Sequence, residues 1–179
     1  MCMLCPPWLS FILYNPVRKA FTDRGKILDE SGITPDSVVL EVGAGNGFLT
    51  EAIARRARRN LAVELQKGMV EKLARRVGGF GSRVEIITGD IASIPFEPGI
   101  ADVCLLYYSF HEISRQAPAA SNISRAVKQG GILAIYEPSV EVSRSAMERA
   151  VHIFEQEGFL LQHSRSGLFT RFARMTKQQ

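Results

Sequence analysis

Cysteine is scarce in this sequence. Its three residues, Cys2, Cys5 and Cys104, are too few and too oddly placed for a disulfide framework. Cys2 and Cys5 make a C-x-x-C pair, but no second pair accompanies it, and the three histidines, His111, His152 and His163, are scattered. A closed zinc site takes about four ligands, so no metal site is expected, and the thiols fit a reducing, cytoplasmic setting. Long apolar runs are missing too. The stretch 8–14 follows Pro6-Pro7 without a basic segment before it. It falls far short of the ~20 residues that cross a bilayer, so neither a signal peptide nor a transmembrane helix fits. Charge of one sign is weak: 22 Lys and Arg against 18 Asp and Glu leave a net +4, a mild excess that many proteins without a nucleic-acid role also carry. No internal repeat, low-complexity tract or interdomain linker interrupts the chain.

What is present is an ordinary globular composition, 46% hydrophobic and 22% charged, long enough to bury one core. From residue 36 onward short apolar runs alternate with helical periodicity, the pattern of a mainly parallel sheet flanked by helices. Strands are expected at 37–42, 61–64, 83–88, 103–107 and 131–136. All are rich in Val, Ile and Leu without clean alternation, as when both faces are buried. Met69, Val70, Leu73 and Val77 share one helical face, as do Met147, Ala150, Val151 and Phe154. Gly130 and Gly158 stand where helices should stop. Segments 159–166 and 168–175 read as two strands around Gly167, a connection too short to cross over, so they must run antiparallel. The expectation is an α/β, Rossmann-like sheet of seven mostly parallel strands with helices on both faces and a C-terminal antiparallel hairpin. It spans 36–179, preceded by a helical cap or lid segment over 1–35.

The most informative stretch is E-V-G-A-G-N-G at 41–47. A buried strand ends at Glu41-Val42, and Gly43, Gly45 and Gly47 alternate before a helix begins. Such glycines let the backbone approach a ligand, and the helix that follows offers free N–H groups to an anionic group. A dinucleotide fingerprint would need glycine at 48, where the chain has Phe48, and the Walker lysine is absent. Glu64 lies 21 residues beyond Gly43, at the end of the second strand, where a carboxylate can accept both ribose hydroxyls of a nucleoside. Thr88-Gly89-Asp90-Ile91 closes the third strand and brings Asp90 within reach of an adenine amine. All three features fall at strand C-termini, on the crevice side of such sheets.

With these motifs the chain resembles the class I S-adenosylmethionine (SAM)-dependent methyltransferases, in particular small bacterial and archaeal members similar to the ubiquinone/menaquinone-biosynthesis enzymes. The segment 101–108 is similar to their fourth-strand motif, and K-Q-G-G-I-L at 128–133 to the start of their fifth strand. The resemblance covers about residues 36–175. It implies SAM as cofactor and S-adenosylhomocysteine as product. It also implies Glu41 beside the methionine amino group, Gly43, Ala44, Gly45, Asn46 and Gly47 along its backbone, and Glu64 and Leu65 at the ribose. Asp90 and Ile91 would border the adenine, and Tyr107 would line the same cofactor site.

Two acceptor classes compete. Residues 39–77 look much like the ribosomal-RNA adenine dimethyltransferases, but those carry Asn-Leu-Pro-Tyr after the fourth strand, where this chain has Leu105-Leu-Tyr-Tyr108. Arg55, Arg56, Arg58 and Arg59 cluster, yet Glu51 four residues before Arg55 suggests a solvated helix face. The preferred reading is a small-molecule acceptor. Tyr108-Ser-Phe-His111-Glu112-Ile is similar to the aromatic-and-histidine loop of the quinone-type enzymes, and the segment 8–18 resembles a lid. His111 is the candidate general base and Tyr108 a candidate for positioning the acceptor. A histidine satisfied by a backbone group, and aromatics that merely pack, are the simpler alternatives. A non-catalytic SAM-binding partner subunit is the third. The sequence sets neither the acceptor atom nor the oligomeric state.

Overall fold

The computed structural model of the chain describes residues 22–178. Helix α1 (Arg24–Glu30) opens on Asp23, whose side chain accepts the Lys26 N–H at 2.9 Å, as an N-cap should. Next come β1 (Val38–Val42), α2 (Thr50–Arg56), β2 (Arg59–Glu64), α3 (Lys67–Val77), β3 (Val84–Thr88) and β4 (Ala101–Tyr107). A short 3₁₀ turn (Phe110–Glu112) leads to α4 (Gln116–Ala126), β5 (Val127–Pro138), α5 (Arg144–Gln156), β6 (Phe159–Ser166) and β7 (Thr170–Lys177). The segment 1–21, with the apolar stretch, Cys2, Cys5 and most of the cap, lies outside the described residues.

The seven strands form one sheet in the order β3-β2-β1-β4-β5-β7-β6. β1, β2, β3, β4 and β5 pair in parallel, and β7 runs antiparallel to both β5 and β6. All five residues of β1 are buried, which is why its sequence carries no polar alternation. Period two still sorts its neighbours. Val39, Val103, Leu105, Ala134, Tyr136 and Phe172 face α1 and α2, while Leu40, Cys104, Leu106, Leu133 and Ile135 face α4 and α5. Of the two foreseen helical stripes, Met147, Ala150, Val151 and Phe154 on α5 cover the second face. On α3, Met69, Leu73 and Val77 are buried and Val70 only partly so, Leu73 and Val77 packing separately with Ala44 and Ala62.

Strand β1 has β2 on one side and β4 on the other. The chain therefore leaves the sheet in opposite directions from this point, and a crevice opens beyond the strand C-termini.

Several strand boundaries differ from expectation, β2 opening at Arg59 and β4 at Ala101 among them, and two of the differences have a visible backbone cause. α4 stops at Ala126, and the chain passes straight into β5, so Gly130 does not end a helix but lies inside a strand. The β4–β5 register jumps there, from Ala101↔Val127 to Val103↔Ile132. The surplus residues form a bulge in which Gly130 takes φ +72°, a conformation favourable to glycine. The last strand begins at Thr170 rather than 168, because Gly167 N–H bonds to Thr170 O at 2.9 Å and leaves Leu168 and Phe169 in the turn.

Candidate active site

The chain after β1 folds back on the end of β2: the N–H groups of Gly43 and Ala44 both donate to Val63 O at 3.0 Å. The three alternating glycines divide by what surrounds them. A Cβ on Gly43 would stand 2.5 Å from the Ser109 Cβ, and one on Gly47 2.9 Å from Leu73 Cδ1; these two are required by packing. At Gly45, φ is +57° and a Cβ would meet nothing within 4 Å. That glycine borders open space, the arrangement that lets a ligand lie against backbone. Asn46 is buried, and its backbone and side-chain oxygens accept from Arg76 at 2.6 and 3.1 Å. Ala44 is buried as well.

Glu64, at the end of β2, reaches across the turn. Its Oε2 accepts the Gly45 N–H and its Oε1 the Gln66 N–H, both at 2.8 Å. A carboxylate carries about four lone-pair positions, so acceptor capacity remains on both oxygens. Leu65 beside it is half-exposed.

Glu41 is buried in β1. Burial pushes its carboxyl up to about 7, against the Asn60 amide, which donates at 2.7 Å, and the nearby Thr50 hydroxyl, which completes no hydrogen bond; the Glu64 charge adds to the rise. A buried acid held near neutrality suits a cationic ligand group. Thr50 Oγ1 and Asn60 Oδ1 are buried polar atoms without a hydrogen-bond partner among the described residues.

Asp90 closes β3. The Ala92 N–H, at 2.9 Å, holds its carboxyl below the usual range against partial burial, helped by Arg115 at 2.9 Å. Ile91 is buried in the core below.

On the other side of the crevice β4 ends at Tyr107, and its ring stacks on that of Tyr108, the next residue, with centroids 4.3 Å apart. Tyr108 has φ 58°, the sole positive φ of a non-glycine among the described residues. Such strain persists only where the surroundings enforce it. Here Tyr108 N–H donates to Tyr136 O at 2.8 Å, and its hydroxyl meets Thr170 Oγ1 at 2.6 Å. Ser109 follows, packed over Gly43 and donating to Val42 O at 2.8 Å.

His111 sits on the 3₁₀ turn after β4. Its backbone N–H donates to Glu137 Oε1 at 3.1 Å, its Nδ1 bonds to Glu137 Oε2, and its Nε2 lies 3.2 Å from Glu141 Oε2. Burial would lower the imidazole's proton affinity, but Glu137, Glu112 and Glu141 outweigh it, and His111 titrates above its ordinary range. Glu137, buried at the end of β5, was not singled out in the sequence. Glu41, Glu64 and Glu137 are each an acid near the C-terminal end of a sheet strand, but only the first two belong to motifs the sequence displays. Arg115 and Asn60 also escaped the motif reading.

Three of the four arginines in the run are paired. Arg55 bonds to Glu51 at 2.7 Å, Arg56 to Asp29 and Arg59 to Glu85.

A parallel sheet with a reversed terminal hairpin, a glycine turn after its first strand and acids at successive strand ends define the Rossmann-like methyltransferase class of α/β proteins. Residues 40–135, more than half of the chain, match the family model described as a methyltransferase domain. The chain belongs to this family, whose cofactor is SAM. An uncharacterized methyltransferase of Geobacillus sp. (strain WCH70) is 26% identical over 144 residues, 79% of this chain and 66% of that protein. The ribosomal RNA small subunit methyltransferase A of Pelotomaculum thermopropionicum is 42% identical over 72 residues, 40% of this chain and 24% of that protein. The chain thus spans less than two thirds of either relative's length. Among solved structures, a SAM-dependent methyltransferase from Aquifex aeolicus superposes with a TM-score of 0.84 at 22% identity, covering 97% of this chain and 99% of that one. That likeness is one of fold.

Proposed function

We propose that this chain transfers a methyl group from SAM to a small-molecule acceptor. The observation that carries the reading is the open cradle at Gly45, where backbone is bare and no Cβ would meet a neighbour within 4 Å, with Glu64 reaching into it. These residues suit the cofactor. The turn residues Gly43, Ala44, Gly45, Asn46 and Gly47 would line its backbone, with Glu41 toward its amino end. Glu64 and Leu65 would take the ribose, Asp90 and Ile91 the adenine side, and Tyr107 a flank. When bound, the cofactor supplies a methyl group already activated on a sulfonium. The protein's contribution is then proximity and orientation. Tyr108 would orient the acceptor, and His111 would take its proton where the nucleophile carries one. The segment 1–35, read as a cap or lid, would shield the acceptor from water.

A small acceptor is favoured because the crevice beside His111 is rimmed by Glu112, Glu137 and Glu141. Phosphates would be repelled there, and Arg55, Arg56 and Arg59 elsewhere are already paired. Val140, Leu168 and Phe169 are 84%, 88% and 80% exposed on the two loops joined by Ser139 N–H to Phe169 O at 3.0 Å, so the outer rim is apolar.

Thermal-shift assay with SAM and S-adenosylhomocysteine tests the cofactor half. A ligand at a hundredfold excess over its Kd adds about 2.7 kcal/mol to stability, and an unmoved melting curve sinks the assignment. Methyl incorporation from labelled SAM into metabolite extracts tests turnover and separates an enzyme from a non-catalytic SAM-binding subunit.

A further inference from the structure

We infer that Glu137 is a positioning residue: it fixes the His111 imidazole with Nδ1 toward the sheet and Nε2 toward the acceptor, so that the site is built for an acceptor whose nucleophilic atom must lose a proton. This rests on the reading of His111 as the base.

The geometry is that of a ring held from behind. Glu137 belongs to β5, the rigid strand next to β4, and is 1% exposed. One of its oxygens takes the backbone N–H of His111 and the other takes Nδ1 of the same residue. A single carboxylate therefore sets both the place of the residue and the rotation of its ring. An ionised carboxylate is acceptor-only, so in the imidazolium both Glu137 and Glu141 accept. When the ring is neutral, the buried Glu137, which also takes the backbone N–H, keeps the remaining hydrogen on Nδ1, while the exposed Glu141 contact is given up. The lone pair is then on Nε2, the only ring atom able to receive a proton. A histidine kept merely for packing needs no such pair of contacts.

The charged groups around the ring are Glu137 from β5, Glu141 from the loop after β5 and Glu112 from the ring's own turn; on β7, Arg171 is the register partner of Glu137. Glu141 differs from Glu137, its side chain being 61% exposed against 2%. It lies on the solvent side of Nε2, where an arriving acceptor displaces it and where a proton can leave to water. The balance is simple. The acceptor's O–H or N–H bond breaks, an N–H bond forms at Nε2, and the electron pair stays on the acceptor atom. Glu137 remains ionised beside the imidazolium. A thiolate acceptor, already deprotonated, has no use for this arrangement.

The test reads His111 directly, in the whole protein without added acceptor. With three histidines in the chain, nitrogen-detected NMR of labelled imidazoles resolves tautomer and titration residue by residue, and His111→Gln identifies the signal. The expected wild-type result is a neutral His111 protonated at Nδ1. In Glu137→Gln, which keeps size and a hydrogen-bonding oxygen, the titration midpoint falls below the wild-type value. In Glu137→Ala the Nδ1–H preference is lost, while Glu141→Gln leaves the tautomer unchanged. A wild-type Nε2–H tautomer, or an unmoved midpoint in Glu137→Gln, overturns the proposal. Once an acceptor is found, Glu137→Gln should lower kcat by up to the ~10²–10⁴-fold that a general base contributes, with KM for SAM little changed. Full turnover in His111→Ala, with the wild-type tautomer as expected, would instead refute the base and leave the ring-holding contact standing.

Discussion

Glu64 shows how one side chain serves two ends. Its carboxylate ties Gly45 N–H and Gln66 N–H together at 2.8 Å each, so it shapes the turn as well as facing a ligand. A carboxylate that served the ribose alone would let Glu64→Gln leave melting of the empty protein nearly unchanged. The structure revises that expectation. An amide has one oxygen where the carboxylate has two, so one of the N–H groups loses its acceptor. Glu64→Gln should lower SAM affinity at least tenfold, since charge-assisted hydrogen bonds contribute ~1.5–3 kcal/mol each. It should also cost about 1 kcal/mol of stability without ligand. Calorimetry and a melting curve on the same sample check both halves.

Glu41 gives the pH signature. Its carboxyl is raised by burial from 4.5 to about 7, so the folded state holds the proton that the unfolded chain releases. The stability it contributes is fully present below about 4.5 and is lost as pH rises through about 7. Other acids act in the opposite sense: Glu30, Glu51, Asp90 and Asp102 are held below their usual range. The effect is therefore read as a difference, with the wild type losing melting temperature relative to Glu41→Gln between pH 4.5 and 7. A cationic ligand group beside Glu41 favours its ionised form, so SAM affinity should rise over the same interval in the wild type and stay flatter in Glu41→Gln. Parallel curves for the two proteins would remove Glu41 from the site. At this scale the sequence was informative where an acid closes an apolar run beside the glycine turn or at a telling distance from it, as at Glu41, Glu64 and Asp90. It was silent on Glu137, because nothing in the chain near residue 137 shows that a histidine 26 positions earlier will come to rest on it.

Among elements, apolarity located every strand, most clearly β1, β2 and β4, where burial on both faces leaves an apolar trace. The turn at Gly167 placed β6 to the residue, although most of that edge strand is exposed. They failed where backbone alone decides. Arg59 and Asn60 open β2 through pairing with Val38 and Val39, which no hydropathy pattern announces. The bulge in β5 is a second case: glycine after a helical stretch reads as a stop, and only the register with β4 shows the surplus residues. Gly131 is the fixed point of that bulge. A Cβ there would lie 2.6 Å from Val127 Cγ1, 2.8 Å from Lys128 O and 3.0 Å from Asp102 O. Two of the three are backbone atoms that cannot swing aside. Gly131→Ala should cost about 1–3 kcal/mol, the range for overpacking a tight site, whereas Gly78→Ala, with nothing within 4 Å, should not. Urea unfolding of the two variants makes the comparison, and equal midpoints would show that the bulge relaxes freely.

For the whole molecule, charge placement matters more than the net +4. Carboxylates gather around His111, and the arginines of α2 and β2 are spent on Glu51, Asp29 and Glu85. A protein that neutralises several phosphates loses affinity steeply with salt, by about 0.9 in log K per phosphate for each tenfold rise in salt on duplex DNA. We expect no retention of RNA or DNA at moderate ionic strength, and methyl transfer that changes little between low and moderate salt. Micromolar RNA retention there would promote an RNA acceptor, the activity named for the Pelotomaculum relative. Among the described residues no helix is long and apolar enough to cross a membrane.

Glu30, the last residue of α1, is held from far along the chain. Arg165 on β6 grips both its carboxylate oxygens at 2.7 and 3.1 Å, and Tyr136 on β5 donates to it at 3.0 Å. Contacts separated by 135 and 106 residues cannot form while the chain is still being made past β4, and they carry the loop-closure entropy of almost the whole domain. The first helix of the described chain is thus translated before every strand it rests on, yet its final turn cannot be fastened until the last hairpin exists. During synthesis Ile27 and Leu28 can settle early against Val39 and α2, but the clasp on Glu30 waits for partners that emerge more than a hundred residues later.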